Sequence, residues 1–228
     1  DNLRTYQGYE FDFEPIAKEL SRVIKVGGVI VWVVGDSVIK GSETGTSFRQ
    51  ALFFKDSCGL NLHDTMIYRK NSIPMMNHNR YQQSFEYMFV FSKGKPKTFN
   101  PIRIRTKYAG ELKTTGGFRQ KGGQIKYRCT PGVCKDTKID NNIWLFKGGV
   151  SDKIAYQHPA VFPELLVKKH IDSWSNERAL VYDHFMGSGT TAKACLATNR
   201  KYIGSEISEY YVKIVEQIIS NYNLVVSA

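Results

Sequence analysis

Cysteine is sparse in this chain, and the four residues stand apart: Cys58, Cys129, Cys134 and Cys195. Scattered thiols do not make a disulfide-stapled fold, and reduced cysteines in a cytoplasmic protein are expected. Cys129 and Cys134 have no second pair and no neighbouring histidine, so no metal site is expected. No apolar run approaches the roughly 20 residues that a membrane-spanning helix needs, and no leader pattern opens the chain. Internal repeats are absent. Methionine is missing at the first position, where Asp-Asn-Leu-Arg-Thr-Tyr stands instead, so further residues are expected upstream. Acid is scarce too: 21 Asp and Glu face 32 Lys and Arg, for a net charge of +11.

What is present describes a globular protein. Apolar residues make up 42% of the chain and aromatics 13%, which argues against disorder. A length of 228 residues suits one α/β domain with an insertion. The basic excess is concentrated. Between Lys93 and Arg128 lie eleven cations and one acid, Glu111, so this stretch carries nearly all of the surplus. Phe99, Tyr108, Phe118 and Tyr127 are interleaved with the cations. Lys and Arg neutralise phosphates and aromatic rings meet bases or sugars, so a polyanionic partner is the better reading, with a solvated basic loop as its alternative.

The pattern along the chain alternates between two periods. FDFEPIAKELSRVIKVGG reads as a helix with Asp12 as cap, Pro15 in the first turn, and Ile16, Leu20, Val23 and Ile24 on one face. VIVWVVGD is a continuous β-branched run, as in a strand covered on both faces. Thr46 or Ser47 then caps a helix to about Asp56. Residues 61–70 and 85–94 read as strands, separated by a polar loop with Pro74. After Lys93 the pattern dissolves into the basic stretch, which ends near NNIWLF and reads as an insertion outside the core layers. Pro163 and Glu164 start a helix through Ile171. RALVYDHF is a strand, GSGTTAKACLATN a turn and helix, RKYIGSEIS a strand, and SEYYVKIVEQIISNY a helix with Tyr211, Ile214, Val215 and Ile218 on one side. Two strands after Ser173 cannot make a covered sheet alone. They are expected to complete one sheet with residues 28–92, so the chain reads as circularly permuted: a three-layer αβα Rossmann-like fold, mostly parallel, with one antiparallel strand.

The loop VYDHFMGSGTT carries the chemistry. Asp183 ends a strand, Gly187 and Gly189 permit a tight turn, and Thr190 and Thr191 open a helix whose N–H groups favour electron-rich ligands. A phosphate-binding P-loop would need Lys after the second glycine, and none is there. Glu206, at the end of the next strand, stands where a carboxylate can hold two ribose hydroxyls. The fit is to a nucleoside cofactor with little phosphate; a packing turn with a surface Glu is the bland alternative.

HFMGSGTTAKAC followed by RKYIGSEIS resembles the S-adenosylmethionine motif of DNA amino-methyltransferases, whose loop reads Asp-Pro-Phe-x-Gly-Ser-Gly-Thr-Thr. The stretch from His158 to Glu164 resembles that family's His-Pro-x-x-x-Pro-Glu segment. The order of parts resembles the β class: a catalytic half in 1–92, a target-recognition insertion in 93–142, and a cofactor half in 150–228. The opening residues also resemble the stretch directly after the family's catalytic motif. The resemblance implies that Phe185 and the backbone of Gly187 to Gly189 contact the methionine and adenosine moieties. Asp183 would lie near the methionine end and Glu206 on the ribose, with Ser188, Thr190 and Thr191 completing the loop. His158 and Pro159 would wall the methionine tail. His184 stands where the family has Pro, which implies weaker cofactor binding without its loss. The DNA contacts would be Lys95, Lys97, Arg103, Arg105, Lys107, Lys113, Arg119, Lys121, Lys126 and Arg128.

The implied reaction is methyl transfer to the exocyclic amine of adenine (N6) or cytosine (N4) in double-stranded DNA, on a base taken out of the stack. In the family an Asp/Ser/Asn-Pro-Pro-Tyr/Phe tetrapeptide holds the amine. This chain has no Pro-Pro, and the resemblance places the tetrapeptide immediately before Asp1. The target base therefore stays open. So do two alternatives: a relative that binds cofactor and DNA without turnover, and an RNA methyltransferase. A bacterial or phage origin, a homodimer and a cognate restriction endonuclease are family features the sequence leaves open. Asp36 reads equally as a substrate contact or a helix cap. For Glu86 a structural ion pair is favoured over a role near the target pocket. His63 and His78 read as ordinary.

Overall fold

The computed structural model describes residues 11–71, 79–112, 117–127, 133–146 and 161–226. They form two compact units, one of Asp1–Asn100 with Asn142–Ala228 and one of Pro101–Asn141.

In the first unit, helix α1 (Phe13–Val23) buries Ala17, Leu20 and Ser21, while Val23 faces solvent. The buried stripe is thus one position off the expected one. Ser21 is tolerated inside because its hydroxyl donates to the Ala17 carbonyl at 2.7 Å. Asp12 occupies the N-cap position but makes no side-chain cap bond. At the other end, Lys93 Nζ donates to the Ser21 carbonyl at 2.9 Å, a cation on open helix carbonyls.

Strand β1 (Val29–Val34) leads to a hairpin of β2 (Val38–Ile39) and β3 (Ser42–Glu43), then to α2 (Thr46–Leu52), which continues as a π-helical turn over Phe53–Ser57. Neither Thr46 nor Ser47 caps α2. Gly45 holds the N-cap position, and the cap acceptor is Asp36, from the preceding loop. Strands β4 (Asn61–Lys70) and β5 (Phe85–Ser92) follow. Phe13, Trp32, Phe54 and Phe91 pack edge-on or tilted between α1, α2 and the sheet, with ring centroids 4.8–5.5 Å apart. Such pairs add about 0.5–1.5 kcal/mol each beyond area burial.

The second unit holds four short strands, β6 (Arg103–Arg105), β7 (Gly117–Arg119), β8 (Ile125–Tyr127) and β9 (Thr137–Ile139). β6 pairs with β9, and β7 with β8, both antiparallel. Residues 101–112, 119–126 and 133–141 include no buried side chain, so this ribbon structure has no core among them. The expected pattern-free stretch therefore contains regular ladders. Their strands are too short and too polar for alternation to show.

The first unit resumes with β10 (Ile143–Phe146), α3 (Glu164–Trp174), β11 (Leu180–Asp183), α4 (Thr190–Ala197), β12 (Lys201–Gly204) and α5 (Glu209–Val226). β10, which the sequence reading did not assign as a strand, lies just past the 93–142 stretch and is an edge strand of the main sheet, with Trp144 and Phe146 buried. The sheet order is β1-β5-β4-β10. β5 runs against its three companions, antiparallel to β1 and β4, while β10 is parallel to β4. The sheet is therefore mixed rather than mostly parallel.

β11 and β12 form a separate parallel ladder. Among the described residues it shares no backbone pairing with β1, so the expected single continuous sheet is not seen. The halves of the unit meet instead through side chains. His170 of α3 approaches Met88 of β5, Nε2 to Sδ at 3.2 Å, and His184 stacks on Trp32. On its inner face the ladder packs Val181 and Tyr202 against Ile171, Ala194 and Cys195 of α3 and α4. α5 buries Tyr211, Ile214, Val215 and Ile218, the face its spacing predicted.

Candidate functional site

The turn between β11 and α4 is built by two carboxylates. Asp183 ends β11 and accepts the Phe185 N–H at 3.0 Å on Oδ1 and the Thr191 hydroxyl on Oδ2. One side chain thus fixes both the start of the loop and the first turn of α4. Glu206 grips the loop from β12's side. Gly187 N–H donates to its Oε2 at 2.8 Å and Ser208 N–H to its Oε1 at 3.0 Å. Backbone bonds tie the same segments together, Met186 N–H to the Ser205 carbonyl and Ser205 N–H to the Asp183 carbonyl, each at 3.0 Å.

The glycines are required by conformation. Gly187 (φ 53) and Gly189 (φ 84) are left-handed. A Cβ on Gly189 would also stand 3.1 Å from Val215 of α5. Ser188 is buried between them. Phe185, by contrast, is 51% exposed, and its ring lies 5.7 Å from that of Phe11.

His184 takes the place the family gives to Pro. Its ring lies nearly parallel to Trp32, centroids 5.6 Å apart, and 4.0 Å from the Phe185 ring. Its Nε2 is buried with no hydrogen-bond partner among the described residues. Burial lowers its pKa from the ordinary imidazole range, against a smaller opposing pull from Asp183. A neutral ring therefore fills the gap between the loop and β1, a packing role that Pro could not fill by stacking.

The predicted cofactor residues Asp183, Phe185, Gly187, Ser188, Gly189, Thr190, Thr191 and Glu206 thus come together at one turn. His158 and Pro159 lie outside the described residues. Lys193, one turn into α4, is engaged by Glu164 at 2.9 Å. Asp36 is a helix cap: it accepts Ser47 N–H at 3.1 Å, the Ser47 hydroxyl, and the Thr44 hydroxyl at 3.2 Å. Glu86 pairs with Lys70. His63 meets Trp174 edge-on, and His78 lies outside the described residues. Among the described residues no group of His, Cys, Asp and Glu could hold a metal ion. Cys195 is buried, its thiol pushed up to about 11 chiefly by burial.

Of the predicted DNA contacts, Lys95 and Lys97 are exposed on the segment after β5, in the first unit. Arg103 and Arg105 lie on β6, Lys107 just beyond, Arg119 on β7, Lys121 in the following turn and Lys126 on β8, all exposed. Lys113 and Arg128 lie outside the described residues. Arg103 is partly occupied, donating from Nε to the Thr137 hydroxyl at 2.9 Å and from Nη2 to its carbonyl at 3.0 Å. Lys107 sits over the Tyr108 ring at 5.2 Å.

Sequence reasoning missed Trp32 and Phe11 as neighbours of the loop. An aromatic in an apolar strand gives no signal of what it will stack on.

Residues 1–217 match the family described as DNA methylase, the N6/N4 methyltransferases. The chain belongs to that family. It is 54% identical over 97% of its length to the orphan methyltransferase M.BamHII of Bacillus amyloliquefaciens, of which it spans 86%. To the type II methyltransferase M.BglII of Bacillus subtilis it is 26% identical over 90% of its length, spanning 55% of that protein. Its fold is shared with the crystal structure of an M1.HpyAVI–SAM complex, with a TM-score of 0.60 and 21% identity, covering 90% of this chain and 81% of that one.

Proposed function

We propose that this DNA methylase moves a methyl group from S-adenosylmethionine to the exocyclic amino group of adenine (N6) or cytosine (N4) in double-stranded DNA. The observation that carries the reading is the turn after β11, where Asp183, the glycine backbone and Glu206 converge in a chain of this family.

The residues fit that cofactor. A cationic ligand with a nucleoside suits two carboxylates, an exposed Phe185 and a close-approach backbone. A pyrophosphate would want a loop cation, and Lys193 is held by Glu164. Each Glu206 oxygen accepts one N–H, which leaves lone pairs for ribose hydroxyls. S-adenosylmethionine, when bound, supplies the methyl on an electron-poor sulfonium. The chain's own residues bind and orient: Glu206 and the glycine backbone hold the nucleoside, Asp183 favours positive charge, and Phe185 and His184 keep water from the reacting end. In the transfer the amine nitrogen would bond to the methyl carbon as the sulfur–carbon bond breaks, leaving the sulfur as a neutral thioether, and the proton the nitrogen then sheds would pass to solvent. The base leaves the stack to reach the site, and Arg105, Lys107, Arg119, Lys121 and Lys126 hold phosphates. The cofactor loop lying late in the chain, after the strands of the catalytic half, supports a circularly permuted order.

The test incubates the full-length protein with methyl-labelled S-adenosylmethionine and unmethylated duplex DNA, followed by nucleoside analysis. Label in N6-methyladenine or N4-methylcytosine supports the reading and names the base. Label in neither defeats it.

A further inference from the structure

The hairpin that follows β1 has the form of a probe. Its strands are two residues long, Val38 registered with Glu43 and Ile39 with Ser42. Lys40 (φ 49) and Gly41 (φ 81) make the left-handed two-residue turn whose twist suits the flanking strands. Successive strand residues face opposite sides, so Val38 and Ile39 put a branched aliphatic group on each face of the ribbon. Neither is covered: they are 44% and 52% exposed. A strand that contributes to a core buries one apolar face. A ribbon with one on both sides suits insertion between two surfaces.

The ribbon is also held stiffly at both ends. At its root Thr44 N–H donates to the Ser37 carbonyl at 2.8 Å, and Asp36 binds Thr44 and Ser47. At its tip Arg80 Nη2 donates to the Gly41 carbonyl at 2.7 Å, and Nη1 lies 3.9 Å from the Glu43 carboxylate. Lys40 is exposed at the turn. The hairpin leaves the carboxyl end of β1, the end at which open α/β sheets bind their ligands. Trp32 of that strand stacks on His184 of the glycine loop.

We infer that the Val38–Glu43 hairpin is a wedge that enters a groove of the target duplex. Its two aliphatic side chains pack on base edges and Lys40 meets a phosphate. The inference rests on the DNA-methyltransferase reading. Two-stranded ribbons fit the major groove, and apolar side chains are the usual means of prising a base step. Lys40, exposed at the turn, suits a phosphate, while Arg80 and Glu43 offset each other's charge.

The test replaces Val38→Thr and Ile39→Thr together, which keeps the β-branching that the hairpin uses while removing apolar methyls. Three properties are read: S-adenosylmethionine affinity by calorimetry, retardation of linear unmethylated plasmid DNA at several salt concentrations, and photo-crosslinking from benzoylphenylalanine placed at Ile39. Val26, 66% exposed before the other end of β1, takes the same crosslinker as a control. Expected are unchanged cofactor affinity, a loss of DNA affinity of about tenfold with an unaltered salt slope, as for exposing buried methyl groups, and crosslinks from position 39 but not 26. DNA affinity equal to wild type, or equal crosslinking from the two positions, overturns the wedge alone. A wild-type protein that binds neither cofactor nor DNA overturns the reading beneath it.

Discussion

Glu206 and Gly187 are joined side chain to backbone, the Gly187 N–H donating to Oε2 at 2.8 Å across the mouth of the β11–β12 ladder. The carboxylate therefore shapes the loop and offers its remaining lone pairs to a ligand. Replacing it, Glu206→Ala, strands two backbone donors, those of Gly187 and Ser208. S-adenosylmethionine affinity should fall about 30- to 100-fold, the effect of losing charged hydrogen bonds. Glu206→Gln should lie between. Calorimetric titration decides it, and an affinity equal to wild type would remove Glu206 from the site.

At Gly187, with φ 53, a β-branched residue is strained. Gly187→Val should abolish cofactor binding while the protein stays folded. Gly189→Ala, with φ 84 and Val215 3.1 Å from the new Cβ, should instead lower stability by about 1–3 kcal/mol. Urea unfolding and cofactor titration of the two variants separate the effects. Retained binding by Gly187→Val would count against the loop.

For the second unit, Arg105, Lys107 and Lys126 are the cleanest probes, because Arg103 also bonds Thr137. Each replacement by Ala should weaken DNA binding and reduce the slope of log affinity against log salt by about 0.9. An unaltered slope in the triple variant would make the ribbon a solvated loop.

His170 gives the protein an acid sensitivity. Its ring is buried between Met88 and Trp144. Burial, with the Lys169 charge second, lowers its pKa from 6.5 to about 4. Between those values the unfolded chain binds a proton that the native protein refuses, so stability is full above pH 6.5 and falls as pH drops towards 4. The whole effect amounts to about 3 kcal/mol. His170→Leu should flatten the profile of unfolding free energy over this window. A variant with the wild-type slope there would assign the sensitivity to another group.

The site was more legible in the sequence than the sheet. Asp183, the two glycines and Glu206 announce themselves because left-handed turns and free carboxylates limit which residues can serve, and the structure gathers them. The face of α5 was equally plain, since its helical period is long and uninterrupted. β10 was hidden because four residues, IWLF, are too few to show a period beside a basic stretch. The direction of β5 was hidden for another reason: an apolar strand reads the same whether its neighbours run with it or against it. Asp36 stayed ambiguous because a cap supplied from eleven residues upstream of Ser47 leaves no local signature.

The reversed strand also sets an order of events as the chain emerges from the ribosome. Val29 is registered with Ser92, so β1 must wait for β4, residues 71–84 and β5 to be synthesised before this pairing can form. During that interval the side of the VIVWVV segment that β5 will cover is open and aggregation-prone. Substitutions that slow the pairing of β5 should therefore reduce the yield of intact protein more than its final stability.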